Sequence, residues 1–414
     1  VAAPGLSLAD GLDGPPLIAW YPAYNQGIAN VARHGPLCLN RDGRMPADRQ
    51  SLCGMPVLAE LGTGRYVVSV TNGAPFPTID EDSGFLAFVS AIGSNARCFE
   101  EDTAASGMTL ESVVHCVDPA TGDDVDSEFS WAYRADSLDY PQEPAYTPTA
   151  AYARVEPDGT LVPEESFNPL DLHDDDVRVE KGDGAGRYTV TFLDMNPLEA
   201  SLEPTLTPYN VIVQRTCVGD TAGGAEPDGC FRAVCAPSAW TPGDFETRDT
   251  SIDVRCFSPD GTPRDTGFRV FFGDEGFNSQ GNSDGGNRYG WVDWSIAPDA
   301  EGCHTAPEVM SNSQHETPPS YFPGFDVQTC RTAVGTYDVN FEEEISFYSA
   351  DGPNPFVSTR ETDGRYCNIG SVFCTETNGS CGIPGTSPNP RITVTCFDSA
   401  GNPADSRFTM NMTY

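Results

Sequence analysis

The chain has 414 residues, with 23 basic and 61 acidic side chains, a formal charge of −38, and a single lysine, Lys181. Such a surface repels phosphate backbones and anionic lipid, which sets aside nucleic acid and an anionic membrane surface as partners. Forty-one glycines and 35 prolines are too much punctuation for long helices, and no apolar run approaches the ~18 residues of a membrane span. The length predicts about two to four domains, each large enough to bury a core.

The chain opens at Val1-Ala2-Ala3-Pro4 with no initiator Met and no charged-then-apolar leader, as a mature secreted chain would. Residues 1–16 read as a loose N-terminal extension. An aromatic strand follows at Ile18-Ala19-Trp20, then Cys38 and Cys53 in a loop, then the strand Gly64-Arg65-Tyr66-Val67-Val68-Ser69-Val70. Cys98 ends a neighbouring strand. A hairpin closes the unit: Val114-His115-Cys116-Val117 runs in, Gly122 and Asp126 mark the turn, and Phe129, Trp131 and Tyr133 run out.

The same order returns twice. Gly186-Arg187-Tyr188-Thr189-Val190-Thr191-Phe192 leads to Ile252-Asp253-Val254-Arg255-Cys256-Phe257, with Gly261, Pro263, Asp265 and Phe268, Val270 and Phe272 beyond. Gly335-Thr336-Tyr337-Asp338-Val339-Asn340-Phe341 leads to Ile392-Thr393-Val394-Thr395-Cys396-Phe397 and then to Phe408, Met410, Met412 and Tyr414. Cys116, Cys256 and Cys396 are spaced 140 residues apart. Period-two alternation in every copy predicts strands with one buried face. The expected architecture is all-β, with three tandem immunoglobulin-like β-sandwich domains at 1–134, 135–273 and 274–414. The third copy repeats the early aromatic strand at Gly290-Trp291-Val292-Asp293-Trp294. For the second copy the spacing predicts that this strand is absent, or that Trp131-Ala132-Tyr133 runs straight into the next domain.

The 14 cysteines contain no CxxC pair and no haem-attachment motif, so the economical reading is seven disulfides formed outside the cytoplasm. The repeat frame predicts Cys98–Cys116, Cys235–Cys256 and Cys367–Cys396 in the terminal hairpins. Cys217–Cys230 and Cys374–Cys381 staple local insertions. Cys38–Cys53 and Cys303–Cys330 tie the loop before the Tyr strand in copies one and three.

The unit Cys-Phe-Asp-x-x-Gly-x-Pro-x-Asp-Ser-x-Phe at 396–408, with its Gly-x-Tyr-x-Val-x-Phe strand upstream, resembles a tandem repeat of secreted bacterial proteins. The resemblance covers the later half of each copy and implies an extracellular β-domain. It carries no catalytic residues to transfer. Copy one departs from it, with Val117 for Phe and no Pro in the turn.

Chemistry is sparse. His34, His115, His173, His304 and His315 form no HxH, HExxH or HxxxH pair. His115 falls on the polar face of its strand. No nucleophile elbow, P-loop or dinucleotide fingerprint is present. Asp80, Glu81 and Asp82 form one acidic group, and Asp171, Asp174, Asp175 and Asp176 flank His173. The segment 274–285 alternates oxygen ligands, with Asp274, Asn278, Asn282 and Asp284 as weak calcium candidates, but it lacks a closing Glu and reads first as a linker. Asn378 and Asn411 match the N-glycosylation pattern, which is idle in a bacterial chain. The sequence therefore predicts no enzyme and no cofactor beyond possible calcium. It predicts a secreted structural or adhesive protein, a homo-oligomer or polymer forming an extracellular fibre or surface layer. Carbohydrate or surface-ligand binding, which calls for exposed aromatics such as Trp240 or Trp294, is the alternative, ahead of a secreted hydrolase. Exchange of the N-terminal segment into copy two is the expected route of assembly.

Overall fold

A computed structural model describes residues 18–21, 25–26, 30–31, 37–39, 57–71, 83–106, 109–137, 150–168, 176–193, 195, 210–216, 233–241, 249–273, 289–294, 298–305, 308–312, 327–341, 354–374 and 390–413. The described residues are all-β, with no helix. Copy one forms β1 (Ile18–Tyr21), β2 (Asn25–Gln26), β3 (Asn30–Val31), β4 (Leu37–Leu39), β5 (Val57–Gly62), β6 (Arg65–Thr71), β7 (Ser83–Ile92), β8 (Arg97–Ser106), β9 (Thr109–Val117) and β10 (Glu128–Ser137). Copy two forms β11 (Ala150–Val155), β12 (Leu161–Phe167), β13 (Val177–Lys181), β14 (Arg187–Phe192), β15 (Asn210–Arg215), β16 (Val234–Thr241), β17 (Thr250–Phe257) and β18 (Phe268–Gly273). Copy three forms β19 (Tyr289–Trp294), β20 (Gly302–Thr305), β21 (Glu308–Asn312), β22 (Val327–Ala333), β23 (Thr336–Phe341), β24 (Asn354–Thr359), β25 (Tyr366–Cys374), β26 (Pro390–Phe397) and β27 (Phe408–Thr413).

Each copy contributes two sets of strands in one order, and the second set of copy one joins the hairpin-cysteine set of copy three through β7 and β25 in one nine-stranded sheet. The hairpin-cysteine sheets run β5-β6-β9-β8, β13-β14-β17-β16 and β22-β23-β26-β25, the last with β20 added outside β22. The second sheets run β4-β1-β10-β7, β12-β11-β18-β15 and β21-β19-β27-β24. In copy two the facing sides of the two sheets close one core, with Tyr188, Val190, Ile252, Val254 and Cys256 from one sheet meeting Ala151, Val213, Phe268 and Val270 from the other.

Copy two is not short of a strand, which corrects the reading from spacing. β11 pairs with β18 as β1 pairs with β10 and β19 with β27. Tyr152 lies opposite Phe271 at the position where Trp20 faces Ala132 and Trp291 faces Asn411. The strand was hidden because Tyr replaces the Trp that marks it elsewhere. The vacancy that strand exchange required does not exist in copy two, and residues 1–17 lie outside the described residues.

The repeated Gly, Tyr, Cys and Asp are parts of one corner. The hairpin cysteine N–H of Cys116, Cys256 and Cys396 donates to the carbonyl of Gly64, Gly186 and Gly335. Asp126, Asp265 and Asp405 then accept the N–H of the same glycine through Oδ1, at 2.7, 2.8 and 2.8 Å. Tyr66 donates its hydroxyl to the same oxygen of Asp126 at 3.0 Å, while Tyr188 and Tyr337 donate to the Pro157 and Pro298 carbonyls at 2.8 and 2.7 Å with Asp265 and Asp405 Oδ1 3.4 Å away. The glycines sit at φ of 70, 67 and 67°, and a Cβ on any of them would run into the carbonyl oxygen of the hairpin cysteine. Burial, reinforced by Asp126, pushes the Tyr66 hydroxyl up to about 12. Side-chain hydrogen bonding from Arg331, against burial and with help from Gly335 N–H, holds the Asp405 carboxyl below its ordinary value.

Four disulfides are described: Cys98–Cys116, Cys235–Cys256, Cys303–Cys330 and Cys367–Cys396. Each joins residues directly opposite on neighbouring antiparallel strands, with Cα–Cα distances of 3.9–4.1 Å. These are four of the pairs expected from the repeat frame. Cys38–Cys53, Cys217–Cys230 and Cys374–Cys381 rest on residues outside the described ones.

Two measurements test the corner. Gly335→Ala should lower stability by at least ~1–3 kcal/mol, from backbone conformation alone, in urea unfolding. Gly62→Ala, where a Cβ meets nothing within 4 Å, should change it little. Because the folded Asp405 pKa is depressed, its stabilisation is complete above the ordinary carboxylate value and fades as pH falls through the folded value. Asp405→Asn should cost about 1–3 kcal/mol at neutral pH, and the deficit should shrink in acid, read from unfolding midpoints across pH 2–7.

Candidate functional site

β7, β15 and β24 are the edge strands of the three second sheets within their own copies. An edge strand presents backbone groups that must be paired, covered or hydrated. Here each edge is covered by the next copy, at one repeated position. Phe88-Val89-Ser90, Ile212-Val213-Gln214 and Phe356-Val357-Ser358 occupy equivalent register positions, opposite Trp131 and Ser130, Val270 and Arg269, and Met410 and Thr409.

The middle valine of each triad donates its N–H to the polar side chain of another triad. Val89 N–H donates to Gln214 Oε1 at 2.9 Å, Val213 N–H to Ser358 Oγ at 3.0 Å, and Val357 N–H to Ser90 Oγ at 3.4 Å. Copy one thus leans on copy two, copy two on copy three, and copy three on copy one, so the three contacts close a ring. The Gln214 amide donates back to the Val89 carbonyl, and Ser358 Oγ to the Val213 carbonyl. Copies one and three also share a parallel backbone bridge between Ile92 and Ile369, with Gly93 N–H donating to the Ile369 carbonyl at 2.8 Å.

The first residue of each triad shares a strand face with the polar third residue and enters a shared apolar cluster, while the middle valine faces its own copy. Phe88, Ile212 and Phe356 meet Tyr152, Phe167 and Phe271 there. Phe88 packs edge-on to Phe271 with ring centroids 6.2 Å apart, and against Phe356 at 6.3 Å. The outgoing hairpin strands are therefore buried on both sides, not on one as the alternation predicts. Phe408 and Met410 face the core of their copy, while Thr409 at 0% and Asn411 at 1% exposure face the junction. Ser130 and Arg269 are buried for the same reason. Buried Asn411 is no glycan acceptor.

Each junction also carries a guanidinium over a ring. Arg215 covers Phe99 at 3.8 Å, Arg360 covers Trp240 at 4.2 Å, and Arg97 covers Tyr366 at 4.2 Å. Among the described residues, only the junction of copies one and two adds buried ion pairs. Glu100 of copy one pairs with Arg269 of copy two. Arg269 also binds Glu165, which pairs with Arg154, and Arg154 reaches Glu156 at 2.8 Å. Burial pulls the Arg269 guanidinium down from the ordinary arginine range. At the equivalent places the other junctions carry Ser130 with Ile369 and Thr409 with Pro237.

The residues singled out from sequence fall elsewhere. His115 is buried, with Nε2 2.7 Å from Asp124 Oδ1 and its ring against Phe99. His304 Nε2 lies 2.9 Å from the Glu301 carbonyl. Trp240 is half-buried beneath Arg360. Among the acidic groups only Asp176 is described, and its carbonyl accepts from Asn168 and Leu193. The calcium candidates Asp274, Asn278, Asn282 and Asp284, with His34, His173, His315 and Asp80–Asp82, lie outside the described residues, as does the side chain of Trp294. Among the described residues no group of three or more His, Cys, Asp or Glu side chains could hold a metal ion. No helix there is long and apolar enough to cross a membrane. The junction triads were missed because they lie outside the even 140-residue frame. Their signal was two adjacent apolar residues followed by a polar one, which marks a strand buried on both faces.

Arg269→Met should destabilise the protein by about 3–5 kcal/mol, because Glu100 and Glu165 stay buried without their shared cation. Adding Glu100→Leu should recover part of that loss, read as urea midpoints in a double-mutant cycle. Compared with protein-family models, curated proteins and solved structures, the chain matches none.

Proposed function

We propose that the chain is a secreted structural or adhesive protein, a self-assembling subunit of an extracellular fibre or surface layer, and not an enzyme. In this reading its three copies are disulfide-stapled immunoglobulin-like β-sandwiches at 1–134, 135–273 and 274–414. The repeated pair of sheets and the buried core of copy two support that division. Disulfides suit an oxidising extracellular setting. The resemblance to secreted bacterial repeats points the same way.

The observation that carries the reading is the closed ring of edge-strand contacts. The convergent buried groups at the centre of the chain are spent on holding three copies together: Ser90, Gln214 and Ser358 on backbone, Arg269 on carboxylates. Rigidity of this kind suits a building block. Trp240, a candidate for ligand stacking, lies under Arg360 instead, which favours the structural reading over a binding module. The net charge of −38 argues against nucleic acid.

Electron microscopy of the purified native protein tests the proposal. Ordered filaments or sheets are expected. Monodisperse particles at every concentration and salt condition tried would refute it.

A further inference from the structure

We infer that copies of this chain assemble by exchanging a whole terminal repeat, with repeat three of one chain seated in the ring of another. The inference rests on the self-assembling reading above and supplies its mechanism. It replaces exchange of a single N-terminal strand, for which copy two has no vacancy.

The junctions are heterologous. Each copy offers a polar side chain to one neighbour and takes one from the other: Gln214 to Val89, Ser358 to Val213, Ser90 to Val357. Head-to-tail contacts close into a ring when the rotation returns to its start, and otherwise run on from molecule to molecule. A chain whose repeat three has left its place bares one face of each kind. It also bares the apolar cluster around Phe88, Tyr152, Ile212 and Phe271. The surface that complements both faces and fills that cluster is repeat three of a second copy.

The covalent structure permits this. Every described disulfide lies within one copy, and none crosses a junction. None of the described disulfides would have to break for the ring to open, and each copy would keep its staple. Repeat three is joined to repeat two through residues 274–288, between β18 and β19. A stretch of that length reaches at most about 50 Å when extended.

The test uses the full chain, opened in denaturant without reductant and returned to buffer at low and high protein concentration. Light scattering after size exclusion should give monomer at low concentration and oligomers at high concentration. In a one-to-one mixture of 14N and 15N chains, carboxylate cross-links between repeats one and three of the oligomers should be mixed-isotope in about half of cases, the random-partner value for a contact made between chains. A second variant, Ile92→Cys with Ile369→Cys, ties repeat one to repeat three at their backbone bridge. It should stay monomeric until reduced under conditions that spare the native disulfides. Oligomers whose repeat one to repeat three cross-links are all single-isotope overturn the exchange and leave the structural reading standing. So does undiminished assembly of the locked variant. If that variant does not fold, the isotope measurement decides alone. Absence of oligomers here, with monodisperse native particles in micrographs, overturns the exchange and the structural reading together.

Discussion

Three strand edges that would otherwise face water cover one another, and the rest of the molecule depends on that. β7, β15 and β24 each leave one side of their backbone outside the strands of their own copy. Each supplies the side chain that satisfies the valine N–H of a neighbour. The net value of one such hydrogen bond is small, about 1 kcal/mol, but leaving its buried donor unpaired costs more. No copy can withdraw without baring two edges, its own and its neighbour's. The apolar cluster on the same face of these strands adds a driving force that does not depend on direction.

Within each copy a second constraint fixes the hairpin. The left-handed glycine brings its carbonyl to the cysteine N–H, and the carboxylate beyond the turn binds both the glycine and the tyrosine. One acidic side chain thus ties the turn, the incoming strand and the Tyr strand together. The third member varies. Lys181 and Arg331 pair with Asp265 and Asp405, while Glu60 takes the equivalent register position in copy one.

The corner was legible in the sequence because its parts are chemically particular. Gly at positive φ, a paired Cys and an Asp that caps a turn tolerate few substitutes, so they recur in register. The three described hairpin-cysteine pairs follow from the same regularity. The junction was not legible for the opposite reason. Ser90, Gln214 and Ser358 do one job with different side chains, and the loops around them differ in length. Thr409 and Asn411 alternate with Phe408 and Met410 as a solvent-facing row would. Polar residues aimed at a neighbouring copy look the same in a sequence as polar residues aimed at water. Tyr152 hid a whole strand by standing where the other copies have Trp.

The three junctions share one plan but not one chemistry. Glu100, Arg269 and Glu165 sit at one, while Ser130 with Ile369 and Thr409 with Pro237 stand at the equivalent places. In a ring of three identical chains any substitution would be made three times over, and a charge placed at the junction would need its counter-charge at every interface. Joining the copies in one polypeptide removes that coupling. Each interface can be altered alone, so the order in which the copies meet is written into the chain, and a wrongly ordered ring would bury Arg269 against Ile369 or Pro237 in place of Glu100.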